Sequence, residues 1–370
     1  MKILIVSRSF YPELSPRAFR TTELAKELSK QGHQVVLYTQ KYKEHHIKFE
    51  KDFNITINDL GQLKLKPVIL AGFSGMRYLL RRIINRLLLM LFEYPLIELM
   101  WKVNKVLKAE NGYDLLISIA VPFPIHWGVA KARSKSHPIA KVWVADCGDP
   151  YMGDTNDSFR KLFYFKYVEK WFCRKADYIS VPRIEMKVNY YPEFHHKIIE
   201  IPQGFNFDEI KLPNEDPHNK IPTFAFAGGF FKGKRDPSIF MNYLCSINTD
   251  FRFLVYTQTP DLIIQFKEKL GIKLEIRPYL PREEILVVMN KMDFLINIGY
   301  DPALQSPSKL IDYHLSGRPV LSFNSEFNES NQKHFQEFMR KDYQNQLILD
   351  NIQKFNIRNV ARQFTDLVSF

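Results

Sequence analysis

The sequence is poor in cysteine, in long apolar runs and in several common motifs. It holds three cysteines, Cys147, Cys173 and Cys245, an odd number at wide spacing. That argues against a disulfide framework and a zinc site, and favours a reducing compartment. Cys147 lies beside acidic residues, but no motif makes it a nucleophile, and a small packed residue is the plainer reading. No stretch reaches the ~18 uninterrupted apolar residues of a membrane span. The opening run Met1–Val6 is too short for a secretory core, and it reads as a buried first strand. A cytoplasmic protein is expected. There is no zinc-finger spacing, aromatic RNA-binding motif or basic tail, so nucleic acid is the weakest partner. Nor is there a Gly-x-x-x-x-Gly-Lys-Ser/Thr loop.

What is abundant is aromatic and positive. The 370 residues include 30 Phe and 18 Tyr, and the formal net charge is +12. A 45% hydrophobic, 25% charged chain of this length supports two globular domains. The charge leaves an anionic membrane or phosphate-rich small molecules as partners.

Short apolar runs alternate with helical patterns, which implies βαβ units and parallel sheets. Strands are expected at Lys2–Val6, Val35–Thr39, Leu115–Ile119, Lys141–Ala145, Tyr178–Val181 and Lys197–Ile201, with a helix at Ala18–Lys30 stopped by Gly32. The polar stretch Asn206–Lys220 suits a linker. The pattern restarts at Ile221–Ala227 and continues through Phe251–Tyr256, Lys273–Arg277, Asp293–Ile298 and Val320–Phe323. The fold class is therefore α/β with two Rossmann-like domains facing across a cleft, divided as 1–204 and 205–350.

Residues 77–101 stand apart. On a helical wheel Arg77, Arg81, Arg82 and Arg86 fall on one half, and Leu79, Leu80, Ile83, Ile84, Leu87, Met90 and Leu91 crowd the other. Such a helix either lies on an anionic membrane surface or packs on a core with its arginines solvated.

Four segments carry chemistry. In the first, Pro307 opens a helix after the strand that ends at Ile298. The free N–H groups of Ser308 and Lys309, with the helix dipole, make an anion site suited to a diphosphate. Lys309 adds a mobile positive charge and Ser308 a hydroxyl donor. Asp312, one turn on, is placed to accept hydrogen bonds from ribose hydroxyls. The bland alternative is an ordinary helix capped by Ser306. The second segment follows Ile221–Ala227: Gly228 and Gly229 permit close backbone approach, and Lys234 and Arg235 can reach donor phosphates. In the third, Asp146 and Asp149 follow a first-domain strand; they read as a general base or acceptor contact, a metal pair, or a stabilised turn. The fourth is the first loop, where Ser15 and Arg17 are candidate ligand contacts and Arg20 is structural. His45-His46 and His195-His196 lack ligand spacing and read as surface histidines.

These segments resemble the GT-B retaining glycosyltransferases of family 4. The likeness rests on Tyr11-Pro12, Arg20–Leu28 with Gly32-His33-Gln34-Val35, Ile201–Phe205, and Ser306–Tyr313 with Gly317-Arg318-Pro319-Val320. It implies transfer from a nucleotide sugar with retention and no required metal or cofactor, with the donor on the second domain and the acceptor on the first. It also implies a final helix, about 351–370, returning to the first domain. The family commonly carries two glutamates eight positions apart. Here Asp312 takes the second place and Leu304 the first, with Asp301 as the candidate substitute. Gly229 stands where the family has Arg, which leaves Arg235 as the basic phosphate contact and a catalytic candidate alongside Asp146 and Asp149.

The expectation is a sugar transferase peripheral to the inner face of the cell membrane, moving sugar to a glycan or lipid-linked acceptor for a surface polysaccharide. A sugar-nucleotide epimerase and a non-catalytic sugar-nucleotide or glycan-binding subunit are the alternatives.

Overall fold

The computed structural model describes residues 1–154, 161–208, 212–213, 216–233, 235–299, 307–349 and 351–369, with the side chains of Pro307 and Ser308 excluded. The chain divides into two compact units, Met1–Asn206 with Gln353–Phe370, and Phe207–Ile352.

In the first unit the order is β1 (Lys2–Ser7), α1 (Pro16–Lys30), β2 (Gln34–Thr39), α2 (Lys43–Phe53), β3 (Ile55–Asp59), α3 (Gly75–Phe92), α4 (Glu98–Leu107), β4 (Tyr113–Ile119), α5 (Pro124–Ala132), β5 (Ala140–Asp146), α6 (Phe165–Lys175), β6 (Tyr178–Val181) and β7 (Ile198–Glu200). The seven strands form one parallel sheet in the order β3-β2-β1-β4-β5-β6-β7. Helices cover both faces, so the central strands are apolar throughout: Ile3, Leu4, Ile5 and Val6 are all buried. Sequence signals set the ends of α1. The Ser15 hydroxyl accepts from the Ala18 N–H at 3.2 Å, and Gly32 takes a positive φ of 83° just past the end.

In the second unit the order is β8 (Thr223–Ala227), α7 (Ser238–Ser246), β9 (Arg252–Tyr256), α8 (Lys267–Leu270), β10 (Leu274–Arg277), α9 (Arg282–Asn290), β11 (Phe294–Ile298), α10 (Pro307–Leu315), β12 (Val320–Phe323) and α11 (Glu329–Met339). Its five-stranded sheet, β10-β9-β8-β11-β12, is again parallel. The phenylalanine richness resolves here. Phe224 stacks on Phe253 and Phe294 and meets Phe335 edge-on, so aromatic rings fill the layer under the sheet.

The chain then returns to the first unit as α12 (Ile357–Asp366). Ile357, Val360, Ala361 and Phe364 join the cluster that holds Ile3, Ile5, Leu24 and Leu28. Gly204 makes room for it, since a Cβ there would stand 2.5 Å from Ile357 Cδ1.

Each expected strand forms, shifted by at most two residues at its ends. Edge strand β3 is the one that the sequence pattern does not announce. The core alternative for the basic helix is overturned: α3 buries none of its residues.

Candidate nucleotide and acceptor sites

In the second unit β8 and β11 are neighbours, so their C-terminal ends lie side by side. β8 runs out through Gly228 and Gly229 into a tight antiparallel bridge between Phe231 and Arg235. That bridge turns Arg235 back onto the sheet, where its Nε donates to the Ile298 carbonyl at the end of β11 at 2.9 Å. Its Nη1 lies 3.4 Å from the Gly229 carbonyl.

Helix α10 is tied to the same place. The buried Tyr313 hydroxyl accepts from the Ala227 N–H at 3.1 Å. One turn earlier, Lys309 lays its ammonium over the Phe226 ring, 3.7 Å from the centroid, and 5.2 Å from that of Tyr313. Gly228 has a φ of 143°, and a Cβ there would stand 3.2 Å from Lys309 Nζ. Glycine thus serves both the backbone turn and the approach of the ammonium. Lys309 Nζ is buried, and it has no hydrogen-bond partner among the described residues. Burial, reinforced by the Arg235 charge, holds its pKa well below the usual lysine range. Two cations converge beside a helix start, which is the electrostatic signature of an anion site.

Asp312 is not the free carboxylate expected. Its Oδ1 accepts from Arg282 Nε at 2.7 Å. Burial raises its pKa, and the Arg282 charge partly offsets that. Arg282, at the start of α9, had no sequence signal linking it to α10. Phe226 had none either, since its role is a cation–π contact with Lys309. Lys234, Asp301, Leu304 and Ser306 lie outside the described residues, as does the Ser308 side chain.

A cavity of about 670 Å³ opens at the other end of α10, lined by His314, Arg318, Asp293 and Lys341 among others. Its charges pair with one another, Arg318 with Asp216 and Lys341 with Asp293. None of the expected site residues lines it.

In the first unit the structure corrects the reading of Asp146 as a catalytic group. The carboxylate is 2% exposed and takes a two-pronged contact from Arg20, at 3.1 and 2.8 Å. Ser180 donates to it at 2.8 Å, and Arg17 approaches to 3.6 Å. Burial alone would raise its pKa, but Arg20 and Arg17 outweigh that and hold it below the usual range. Arg20 also donates to the Ile201 and Pro202 carbonyls. A base whose oxygens are so occupied cannot collect a substrate proton. Asp146 is instead a fastener joining β5, β6, α1 and the segment that leaves β7. Asp149, three residues on, is exposed.

Ser15 is likewise a cap rather than a ligand contact. Arg17 lies across Gly148, where a Cβ would collide with its guanidinium at 1.2 Å. That places its partly exposed head at the end of β5, against the residue that precedes Asp149. Cys147 and His126 form a buried 3.4 Å pair, with Ser118 2.7 Å from the other imidazole nitrogen. Burial pushes the thiol up and the imidazole down to about 3, so this is a satisfied polar core and no nucleophile. His46 also departs from the surface reading: it is buried and meets the Tyr11 carbonyl at 2.6 Å. No cluster of three or more metal-ligating side chains occurs among the described residues.

The profile of Glycosyltransferase Family 4 matches residues 19–209, just over half of the chain. The chain belongs to that family. Its fold has wide company. The glycosyltransferase from Rickettsia africae ESF-5 is 12% identical with a TM-score of 0.62, covering 100% of this chain and 97% of its own. HepE from Anabaena, solved with UDP and glucose, is 12% identical with a TM-score of 0.56, covering 100% and 99%. A mutant of S. aureus TarM, in complex with Fondaparinux, alpha-GlcNAc-glycerol and UDP, is 12% identical with a TM-score of 0.55, covering 100% of both chains. At such identity the likeness speaks for fold alone, and the fold is GT-B: two parallel-sheet α/β domains. No curated protein sequence matches the chain. Family and fold together make this family 4 chain a glycosyltransferase.

Proposed function

We propose that this family 4 chain transfers a sugar, with retention, from a nucleoside-diphosphate sugar to a glycan or lipid-linked acceptor in surface polysaccharide biosynthesis. The observation that carries the reading is Lys309, a buried ammonium without a hydrogen-bonding partner among the described residues, set beside Arg235 at the start of α10. A buried charge of this kind is costly by itself, and a diphosphate would compensate it. UDP in the HepE and TarM complexes supports a uridine nucleotide as the first donor to try.

The chemistry asked of the protein is stabilisation of a leaving group. As the anomeric bond breaks, negative charge gathers on the departing diphosphate. Lys309, Arg235 and the N–H groups of Ser308 and Lys309 are the donors for it. Asp312, held by Arg282, is the ribose anchor with its remaining oxygen. The acceptor hydroxyl attacks from the face that the diphosphate leaves, its proton passing to the departing phosphate oxygen, and no protein nucleophile is invoked. Asp149 and Arg17 are the acceptor-side candidates. The reaction needs no metal. On this reading the protein works in the cytoplasm, peripheral to the inner face of the cell membrane when its acceptor is lipid-linked.

The test is nucleotide titration of wild type and Lys309→Met. UDP should bind the wild type, and the variant should lose at least tenfold in affinity while melting no lower. Equal affinity in the two proteins, or no binding of any nucleoside diphosphate by wild type, would overturn the site.

A further inference from the structure

Helix α3 carries its apolar residues outward. Met76, Leu79, Leu80, Ile83, Ile84 and Leu87 are between 42 and 78% exposed. None of the helix's side chains joins the buried clusters of the first unit. On a wheel of 100° per residue those six fall within an arc of about 140°. Arg77 and Arg81 border the arc on one side, Arg82 and Arg86 on the other. The helix is 18 residues, or about 27 Å, long. Among the described residues no helix is long and apolar enough to cross a membrane.

Two further observations extend this surface. From Leu60 through Phe92 there is no acidic residue, although Lys64 and Lys66 add to the four arginines. At the C-terminal end of α3 the Tyr164 hydroxyl donates to the Leu91 carbonyl, and Lys161 pairs with Glu93. Those bonds fix the start of α6 beside α3, where Phe163 and Tyr167 are 72 and 59% exposed. Aromatic rings and arginine heads on the rim of an apolar stripe suit the boundary between headgroups and acyl chains.

We propose that α3, with Phe163 and Tyr167, is a docking surface for an anionic phospholipid bilayer. The helix lies in the plane of the interface. Its apolar arc enters the acyl boundary, and the flanking arginines stay at headgroup level. Charge decides this occupant over a second copy of the chain. Pairing two such helices would set arginine against arginine with no carboxylate on either helix, whereas anionic headgroups can meet the exposed Arg77 and Arg82. The inference deepens the reading of a lipid-linked acceptor but stands on the helix, not on the nucleotide site.

Flotation of the full-length protein with vesicles tests it. The protein should rise with phosphatidylcholine vesicles containing phosphatidylglycerol, not with phosphatidylcholine alone, and high salt should weaken the association. Each arginine lost should cost roughly fivefold in partition. Arg77→Gln with Arg82→Gln should therefore cost on the order of thirtyfold. Leu80→Ser with Ile84→Ser should abolish flotation. All four positions are exposed, so melting temperature and UDP affinity should stay at wild-type values; a loss of UDP binding would belong to the donor reading instead. The proposal is overturned by equal flotation on both vesicle types, by none on either, or by a concentration-dependent dimer that the Leu80→Ser, Ile84→Ser variant disperses. Should a variant melt early, the wild-type salt series decides, and salt-insensitive binding overturns the proposal.

Discussion

A single buried ammonium carries more of the functional argument than any motif. Lys309 has its pKa depressed by burial and by Arg235. The folded chain holds this proton less well than the unfolded chain, so the site destabilises the protein at neutral pH, and the cost fades as pH rises toward the unfolded lysine value. Lys309→Met should therefore melt above ligand-free wild type near neutrality, with the gap closing under alkaline conditions. A bound diphosphate reverses the shift, so nucleotide binding in mildly alkaline buffer should take up a proton. Titration calorimetry in two buffers of different ionisation enthalpy reads this; identical heats would mean that Lys309 is already charged or does not meet the nucleotide. Asp146 calls for the opposite reasoning. Its depressed pKa stabilises the folded chain above the usual carboxylate range, and that contribution is lost in acid. Asp146→Ala would leave Arg20 buried without its charge partner, at a cost of about 3–5 kcal/mol. Urea unfolding should register that loss. A stable Asp146→Ala protein with activity alone abolished would return the residue to the catalytic role that the structure denies it.

At the level of elements, what was legible in the sequence followed from local rules. Buried parallel strands read as short apolar runs, and Gly32 and Pro307 mark helix ends because glycine takes the left-handed turn without strain and proline lacks the N–H that a helix interior needs. Strand β3, Ile55-Thr56-Ile57-Asn58-Asp59, escaped because an edge strand buries only alternate residues and ends in polar ones. The site was legible only in part for a related reason. Lys309, Arg235, Gly228 and Asp312 declare themselves through charge and backbone freedom. Arg282 lies thirty positions from Asp312, and Arg20 lies 126 from Asp146. Only the fold brings those pairs together, so Asp312 read as free and Asp146 as available. Ser15 shows the same ambiguity at short range, since a hydroxyl before a helix serves equally as a cap or as a ligand contact. Helix α3 inverts the rule that an apolar stripe faces the core. Periodicity reports that a helix has two faces, and it does not report which of them meets protein.

For the whole molecule, the two units carry separate cores, and the distribution of aromatic residues lets each be watched. All four tryptophans, Trp101, Trp127, Trp143 and Trp171, lie in the first unit, and Trp127 and Trp143 are fully buried there. Tryptophan fluorescence therefore follows the first unit alone, whereas far-ultraviolet dichroism follows the helices of both. If Lys309 and Arg235 form the nucleotide site, the ligand binds folded second unit and stabilises it by mass action. The gain is about 2.7 kcal/mol at a hundredfold excess over Kd. Adding UDP should raise the melting transition seen by dichroism while the tryptophan transition stays where it was, and Lys309→Met should abolish the rise. A nucleotide-driven shift of equal size in tryptophan fluorescence, preserved in Lys309→Met, would put the nucleotide on the first unit. It would then be bound by the other cationic group at a strand end, Arg17 beside Gly148, and the donor and acceptor roles assigned here would have to be exchanged.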